Sequence, residues 1–397
     1  MMLPEFVMTP GPTEIPLRVL KAMLRPATSP GDPEFVQVWD ETAQLLQTIL
    51  ETQNEVVLFP GSGRVAIESA LTSAIDPGDK VLTVNNGVFG KWLGLTVELA
   101  GGQKVELISD SRESVDPDQV RERLRTEPDI KLVAVVHNET STGVVNPVAE
   151  IGPIVKEYGA LYLVDTVSSA AGDFVKTDEW QVDLNCTGCY KCMNCPPGLA
   201  MVAVSADAWA TMARRKVRKS FSFDLYKWLE MWIPRDRGGK LIWGYRRHVV
   251  EPVPHITYAL NEALKMLLDE GLAERYRKNR LAGTAIRAAV KAIGLEIYPL
   301  EEQYASNTLT AILNPPEIDN SAITDTMRRE HGVMIAGALE EVAGKVLRIA
   351  HMSSTSNEMY VLHTVRSLEK TLLRLGWKME EGAGLNAATM VFDNHKQ

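Results

Sequence analysis

A regular alternation of short apolar segments with amphipathic segments constrains the fold of this chain more than any other sequence feature. Each apolar segment is too short for a helix and is followed by a turn and by apolar residues at helical spacing. Strands that alternate with helices form a mostly parallel sheet with helices on both faces. The predicted strands are residues 55–59, 80–84, 104–108, 132–136, 161–164 and 199–204.

The C-terminal third has a different pattern, which predicts a smaller α+β domain. We expect an extended N-terminal segment over residues 1–16, a large α/β domain over 17–262 and the small domain over 263–397. The predicted elements of this part are a helix at 254–270, a basic helix that ends near Ile293, a strand at 308–313, a helix at 321–331 and a strand at 346–349.

Composition excludes several classes of function. The formal net charge of −9 and the pI of about 5.5 argue against a nucleic-acid surface. No apolar run approaches the roughly 18 residues of a membrane span, and no secretory signal is evident. All four cysteines lie between residues 186 and 195, where they cannot staple a large fold, so we expect a reducing cytoplasm.

Polar and glycine-rich residues follow the predicted strands. In open parallel sheets the ligand binds beyond the carboxyl ends of the strands. This rule brings residues 61–64, Phe89, 137–143 and Asp165 to one crevice, although they are far apart in sequence.

Each of these groups has a functional and a structural interpretation. The Gly-Ser-Gly-Arg turn at 61–64 opens a helix and suits a phosphate, but such turns are often only structural. Asp165 could hold a cationic ring nitrogen or cap a helix. Phe89 could stack on a planar ring or belong to the core. Arg348, the only cation of its strand, could bind a carboxylate or form a structural ion pair.

Residues 185–199 contain a single charged residue, Lys191, among four cysteines. A desolvated lysine amine is nucleophilic and condenses with carbonyl groups. The alternative is a metal or iron–sulfur cluster, because the cysteines lie three residues apart. We favour the lysine. The cysteines are Cys186, Cys189, Cys192 and Cys195.

Taken together, these motifs resemble the class V aminotransferases of fold type I, pyridoxal 5′-phosphate enzymes that include alanine–glyoxylate and serine–pyruvate aminotransferases. The resemblance extends over nearly the whole chain, and its strength lies in the order of the motifs. They are Pro10-Gly11-Pro12, residues 61–63, 86–90, 137–143 and 164–169, Lys191 four residues before Cys195-Pro196-Pro197-Gly198, and residues 344–352.

The resemblance implies a role for each matching residue. Lys191 corresponds to the lysine that forms the Schiff base with the cofactor, and Asp165 to the partner of the pyridinium nitrogen. Phe89 corresponds to the aromatic residue that stacks on the ring, and Thr140 to the hydroxyl near the ring oxygen. The remaining positions are Ser62, Gly63, Arg64 and Tyr190 at the phosphate, and Arg348 and Gly11 at the substrate.

The resemblance also implies an activity and an assembly. We expect ping-pong transfer of an amino group from a small alanine- or serine-like amino acid to glyoxylate or pyruvate, with no metal. We expect a homodimer with its active sites at the subunit interface.

The chain departs from the family at the positions that bind the cofactor phosphate. Tyr190 stands where the family usually has glutamine or asparagine, and Val249 and Pro252 stand where a partner subunit usually supplies tyrosine and threonine. We therefore expect a phosphate site that is weaker or rerouted through Arg64, Arg246, Arg247 or His248.

This departure keeps a second hypothesis open, an enzyme similar to pyridoxamine–pyruvate aminotransferase that acts on the free vitamer. Against it, the extra carboxylate-binding arginine of that enzyme falls near Leu339, and its acidic phosphate-site residue corresponds to Ser62. A third hypothesis, from another class, is a metal or iron–sulfur protein built on the same scaffold.

Overall fold

In a computed structural model, residues 6–26, 28–232 and 248–396 are described. The helices are α1 (Leu17–Ala22), α2 (Pro33–Ile49), α3 (Gly63–Ala74), α4 (Val88–Leu99), α5 (Pro117–Thr126), α6 (Val148–Glu157), α7 (Ala206–Ala213), α8 (Leu225–Trp232), α9 (Pro254–Glu270), α10 (Leu272–Ala292), α11 (Asn320–His331), α12 (Glu358–Arg374) and α13 (Ala383–Asn394). The strands are β1 (Phe6–Val7), β2 (Glu55–Gly61), β3 (Lys80–Asn85), β4 (Gln103–Ile108), β5 (Ile130–Val136), β6 (Asn138–Glu139), β7 (Val144–Val145), β8 (Leu161–Asp165), β9 (Leu184–Gly188), β10 (Gly198–Val204), β11 (Leu309–Leu313), β12 (Val333–Met334), β13 (Ala336–Gly337) and β14 (Val346–Ala350).

The central sheet has seven strands in the order β2-β10-β9-β8-β5-β3-β4. Only β10 is antiparallel to its neighbours, and the other pairs are parallel. Strands β5 and β8 are apolar along most of their length and buried, because helices cover both faces of the sheet. The predicted α/β fold with a mostly parallel sheet is confirmed.

Strand β9 was not predicted, because polar residues alternate along it. These side chains are nevertheless buried and hydrogen-bonded: Asn185 Nδ2 donates to Thr177 Oγ1 at 2.7 Å, and Thr187 Oγ1 donates to the Thr166 carbonyl at 3.4 Å. The loop that contains Lys191 therefore begins only after β9. It connects two neighbouring strands of the sheet, which fix both of its ends.

The C-terminal part has its own antiparallel sheet, β11-β14-β13, and its own apolar core from α10, α11, α12 and α13. Helix α9 packs instead on α2 and contributes Tyr258, Leu260 and Leu264 to the core of the large sheet. Strand β1 pairs with β12, so the N-terminal segment joins the C-terminal part. Residue 262, the predicted domain boundary, lies inside α9.

Helices α3 and α4 begin directly after β2 and β3, so their N-termini lie at the carboxyl edge of the sheet. In the described part of the chain, no helix is both long enough and apolar enough to cross a bilayer.

Candidate active site

A cavity of about 800 Å³ opens at the carboxyl edge of the sheet. It brings together most of the predicted site residues, and their roles remain predictions. Ser62 and Gly63 do not line it, although they form the start of α3. The predicted residues that line it are Gly11, Arg64, Phe89, Thr140, Asp165, Tyr190, Lys191 and Arg348.

Lys191 is 9% exposed, and its Nζ donates a hydrogen bond to the Pro10 carbonyl. Burial, together with the positive charge of Arg348, lowers the pKa of Lys191 to about 8. Gly11, with φ at 107°, passes so close that a Cβ there would lie 2.5 Å from Lys191 Cδ. Only glycine fits beside this lysine.

Asp165 is the last residue of β8 and is 7% exposed. Its Oδ1 accepts the Val167 N–H at 2.8 Å, and burial raises the pKa of Asp165 to about 7. The interpretation as a helix N-cap is wrong, because residues 167–172 form turns and no α-helix follows directly.

Arg348 lies on β14 and is 6% exposed. Its Nε donates to the Gly337 carbonyl at 2.8 Å, and its Nη1 donates to the Thr140 carbonyl at 2.9 Å. Burial lowers the pKa of Arg348 to about 10. Within the described residues it forms no ion pair, so its charge is available to an anionic ligand.

Phe89 lies in the first turn of α4. All three free N–H groups of this turn have acceptors. Ser141 Oγ accepts from Val88 at 3.0 Å. Oε2 of Glu139 accepts from Phe89 at 2.9 Å and from Gly90 at 3.0 Å.

Sequence reasoning missed Glu139 because an acidic residue at a strand end usually faces solvent. It is 0% exposed, and burial raises its pKa while its hydrogen bonds oppose that shift. The signal in the sequence was a carboxylate three residues after the apolar segment 132–136.

The N-terminus of α3 is different. The Gly63 N–H points at the phenolic oxygen of Tyr190, and burial raises the pKa of that phenol. In the described part of the chain, the N–H groups of Arg64 and Val65 have no acceptor. The Arg64 guanidinium stacks 3.8 Å above the Trp92 ring at the cavity wall. Two unpaired helix N–H groups beside an arginine fit a phosphate.

Asn138 belongs to the segment 137–143 that we expected at the crevice, but it was given no role; it lines the cavity at 3% exposure. Its Nδ2 donates to the Ser168 carbonyl at 3.2 Å and to Thr308 Oγ1 at 2.8 Å. Its Oδ1 has no partner among the described residues, so it leaves a buried acceptor at the cavity.

Of the alternative phosphate ligands, Arg246 and Arg247 lie outside the described residues. The expectation for His248 stays a prediction, because the corresponding family ligands come from a partner subunit. Its ring packs 4.9 Å from Trp39 and 6.2 Å from Phe35, and it does not line the cavity. Val249 and Pro252 are buried and do not line it either.

All four cysteines are free and buried, and their thiols face different carbonyl groups. Cys189 donates to Pro196 at 3.0 Å, and Cys192 donates to Ser168 at 3.6 Å. Within the described residues, no group of three or more His, Cys, Asp and Glu side chains is arranged to hold a metal. The geometry therefore gives the cluster hypothesis no support.

Comparison with known proteins agrees with this geometry. The family model of aminotransferase class-V matches residues 8–231. The chain is 35% identical to an uncharacterized aminotransferase of Methanocaldococcus jannaschii, over 98% of this chain and 97% of the relative. It is 32% identical to (S)-ureidoglycine–glyoxylate transaminase of Bacillus subtilis, over 98% and 95%.

Among solved structures, pyridoxamine–pyruvate aminotransferase from Mesorhizobium loti superposes with a TM-score of 0.93 and 29% identity, over 99% of this chain and 98% of that one. The chain belongs to the class V aminotransferases. Its fold is that of the fold type I enzymes of this family, and its class of activity is that of a pyridoxal-phosphate-dependent transaminase.

Proposed function

We propose that this chain transfers an amino group from a small amino acid to a 2-oxo acid, glyoxylate or pyruvate, with pyridoxal 5′-phosphate as cofactor. The observation that supports this most is a buried lysine with a lowered pKa at the same cavity as a buried carboxylate, Asp165. An amine with a pKa of about 8 has a useful fraction in the free-base form at neutral pH.

The residues of the cavity fit the cofactor. Arg64 and the two unpaired N–H groups of α3 would hold its phosphate, Phe89 would stack on its ring, and Asn138 or Thr140 would meet its ring oxygen. When bound, the cofactor supplies an aldehyde for amines and an electron sink for the bond at the substrate α-carbon.

The protein groups then have defined tasks. Asp165 holds a proton at the ring nitrogen, and the positive charge there favours its carboxylate form. Lys191 Nζ would accept the proton that leaves the substrate α-carbon and pass it to the former aldehyde carbon of the cofactor, not back to the α-carbon. Arg348 binds the substrate carboxylate, and Gly11 leaves room for the lysine.

The substrate class follows from the cavity walls and from the relatives. Met334, Ala336 and Leu339 line the cavity, and Ala336 pairs with Arg348 across the small sheet, which favours a small apolar side chain. The printed names of the relatives include glyoxylate and pyruvate as acceptors.

We also propose a homodimer, two domains and a reducing compartment. Leu95 and Leu99 of α4 are 49% and 79% exposed at the rim of the cavity, where a second subunit would cover them.

The division into residues 1–16, 17–262 and 263–397 rests on the separate apolar cores, with its second boundary inside α9. The four free thiols suit a reducing cytoplasm.

A second candidate is transfer from free pyridoxamine to pyruvate. One observation favours it: the Tyr190 phenol faces the Gly63 N–H, where a phosphate would otherwise bind. Arg64 and the unpaired N–H groups of α3 favour the phosphorylated cofactor instead.

The test is a screen of small amino acids and pyridoxamine as donors, each with glyoxylate and pyruvate, on wild-type protein and on Lys191→Ala. We expect amino-acid turnover that Lys191→Ala abolishes. Lys265→Ala, a surface lysine on α9, is the control and should be as active as wild type. Turnover with pyridoxamine alone would replace the proposal by the second candidate. Full activity of Lys191→Ala would contradict both.

A further inference from the structure

The carboxylate of Glu139 is fully buried, and hydrogen-bond donors surround both of its oxygen atoms. Besides the N–H groups of Phe89 and Gly90, its Oε1 accepts the Ser141 N–H at 3.0 Å and the Ser141 hydroxyl. All four partners donate, and an ionised carboxylate only accepts, so the site is built for the charged form. Burial of such a group is costly and suggests a use for it.

The same residue connects two walls of the cavity. Through Phe89 and Gly90 it fixes the first turn of α4 and therefore the predicted ring-stacking side chain. Its chain neighbour Thr140 presents the carbonyl that accepts Arg348 Nη1 at 2.9 Å. A shift of Glu139 would move both Phe89 and Arg348.

We propose that Glu139 is a positioning residue that sets the placement of Phe89 relative to Arg348, and thus of the cofactor ring relative to the substrate carboxylate. Glu139 does not line the cavity, so it acts only through these neighbours. The inference rests on the proposed function and adds a residue to it.

A glutamine in this position has nearly the same shape but the wrong hydrogen-bonding groups. Its amide nitrogen would face N–H or O–H donors on one side, so that one pair of bonds must break. Glu139→Gln therefore changes the hydrogen bonds without opening a void.

The chain offers a matched control in Glu369, which is 2% exposed. Its Oε1 accepts N–H bonds at the start of α13, from Gly384 at 2.7 Å and from Leu385 at 3.4 Å. It therefore closes a helix N-terminus as Glu139 does, but in the C-terminal core and away from the cavity. Glu369→Gln should destabilise the protein and leave the site alone.

The experiment compares wild type, Glu139→Gln and Glu369→Gln as holoenzymes. It measures urea unfolding, the visible circular dichroism of bound pyridoxal 5′-phosphate, its dissociation constant, and kcat and KM separately. We expect both variants to lose stability. Only Glu139→Gln should lose visible dichroism and kcat/KM, the latter on the order of 100-fold, because small displacements of positioning groups have effects of that size.

Equal dichroism and kcat/KM in the two variants would overturn the proposal and leave the proposed function standing. A wild-type protein without transamination would overturn the proposed function, and the inference with it. If Glu139→Gln does not fold, Ser141→Ala removes the hydroxyl bond to Glu139 and the acceptor of the Val88 N–H. It should lower dichroism and kcat/KM in the same direction by a smaller factor, and unchanged values would overturn the proposal.

Discussion

Two helices of equal length, α3 and α4, begin at the same edge of the sheet and point their N-termini toward the same cavity. Neither helix is capped by the side chain of its own N-cap residue. At α4, Ser141 and Glu139 take all three free N–H groups. At α3, Tyr190 faces one N–H group, and those of Arg64 and Val65 have no partner in the described part of the chain.

The difference assigns the two ends to different tasks. Helix N-termini attract anions through their N–H groups and dipole. At α4 a carboxylate of the chain already occupies that position, so a ligand anion cannot bind there. Of these two ends, α3 is therefore the one that we propose for the phosphate of the cofactor, and α4 is the one that we propose holds Phe89.

We call the N-terminus of α4 the closed end and that of α3 the open end. The largest expected effect comes from Gly87→Ala, which disturbs the closed end. A Cβ at Gly87 would lie 2.4 Å from Glu139 Cγ, so the carboxylate must move and leave buried N–H groups unpaired. We expect a loss of about 3 kcal/mol in the free energy of unfolding, measured with urea.

Two variants sharpen this comparison. At Gly63 the three atoms nearest to an added Cβ belong to Val167, the closest at 2.2 Å, so Gly63→Ala should also destabilise the protein but leave the hydrogen bonds of α4 in place. Gly31→Ala, where a Cβ meets nothing within 4 Å, is the control. A loss at Gly87 no larger than at Gly31 would contradict the expectation that closure of α4 by Glu139 contributes to stability.

The next effect concerns the open end. Arg64→Ala removes the cation beside the unpaired N–H groups of α3. Charge-assisted hydrogen bonds are worth about 1.5–3 kcal/mol, so the dissociation constant for pyridoxal 5′-phosphate should rise roughly 10- to 100-fold. Pyridoxal, which lacks the phosphate, should bind as before.

Arg112, which lies 5.6 Å from the Tyr298 ring and does not line the cavity, provides the control Arg112→Ala. Equal losses for the phosphorylated and unphosphorylated forms would mean that Arg64 does not recognise the phosphate.

The sequence predicts the open end better than the closed one. A Gly-Ser-Gly-Arg turn between strand and helix suits an anion on local pattern, although such turns are often only structural. The closure of α4 depends on Glu139, which is some fifty residues away along the chain, and no local pattern connects the two. The same limit explains β9, whose polar residues become buried only through partners such as Thr177.

A smaller effect tests Tyr190. Tyr190→Phe removes the phenolic oxygen that faces the Gly63 N–H and keeps the ring. If this hydroxyl also donates to the phosphate, as we expect, affinity for pyridoxal 5′-phosphate falls about fivefold and affinity for pyridoxamine is unchanged. Tyr162→Phe, which removes a buried hydroxyl that donates to Val148, is the control. A gain in affinity would instead favour the free-vitamer candidate.

The smallest effect shows whether the negative charge of Glu139 at α4 influences the pKa of Lys191. Because the pKa of Lys191 is lowered to about 8, the rate at which the cofactor-free protein is trapped by an aldehyde and borohydride should rise with pH through about 8. A carboxylate favours the ammonium form, so Glu139 raises this pKa slightly. In Glu139→Gln the midpoint should therefore move to lower pH by a fraction of a unit, and in Glu369→Gln it should stay. A midpoint that moves to higher pH in Glu139→Gln would mean that displacement of Lys191 affects its pKa more than the loss of the Glu139 charge does. The carboxylate at α4 would then influence the lysine through geometry and not through its charge.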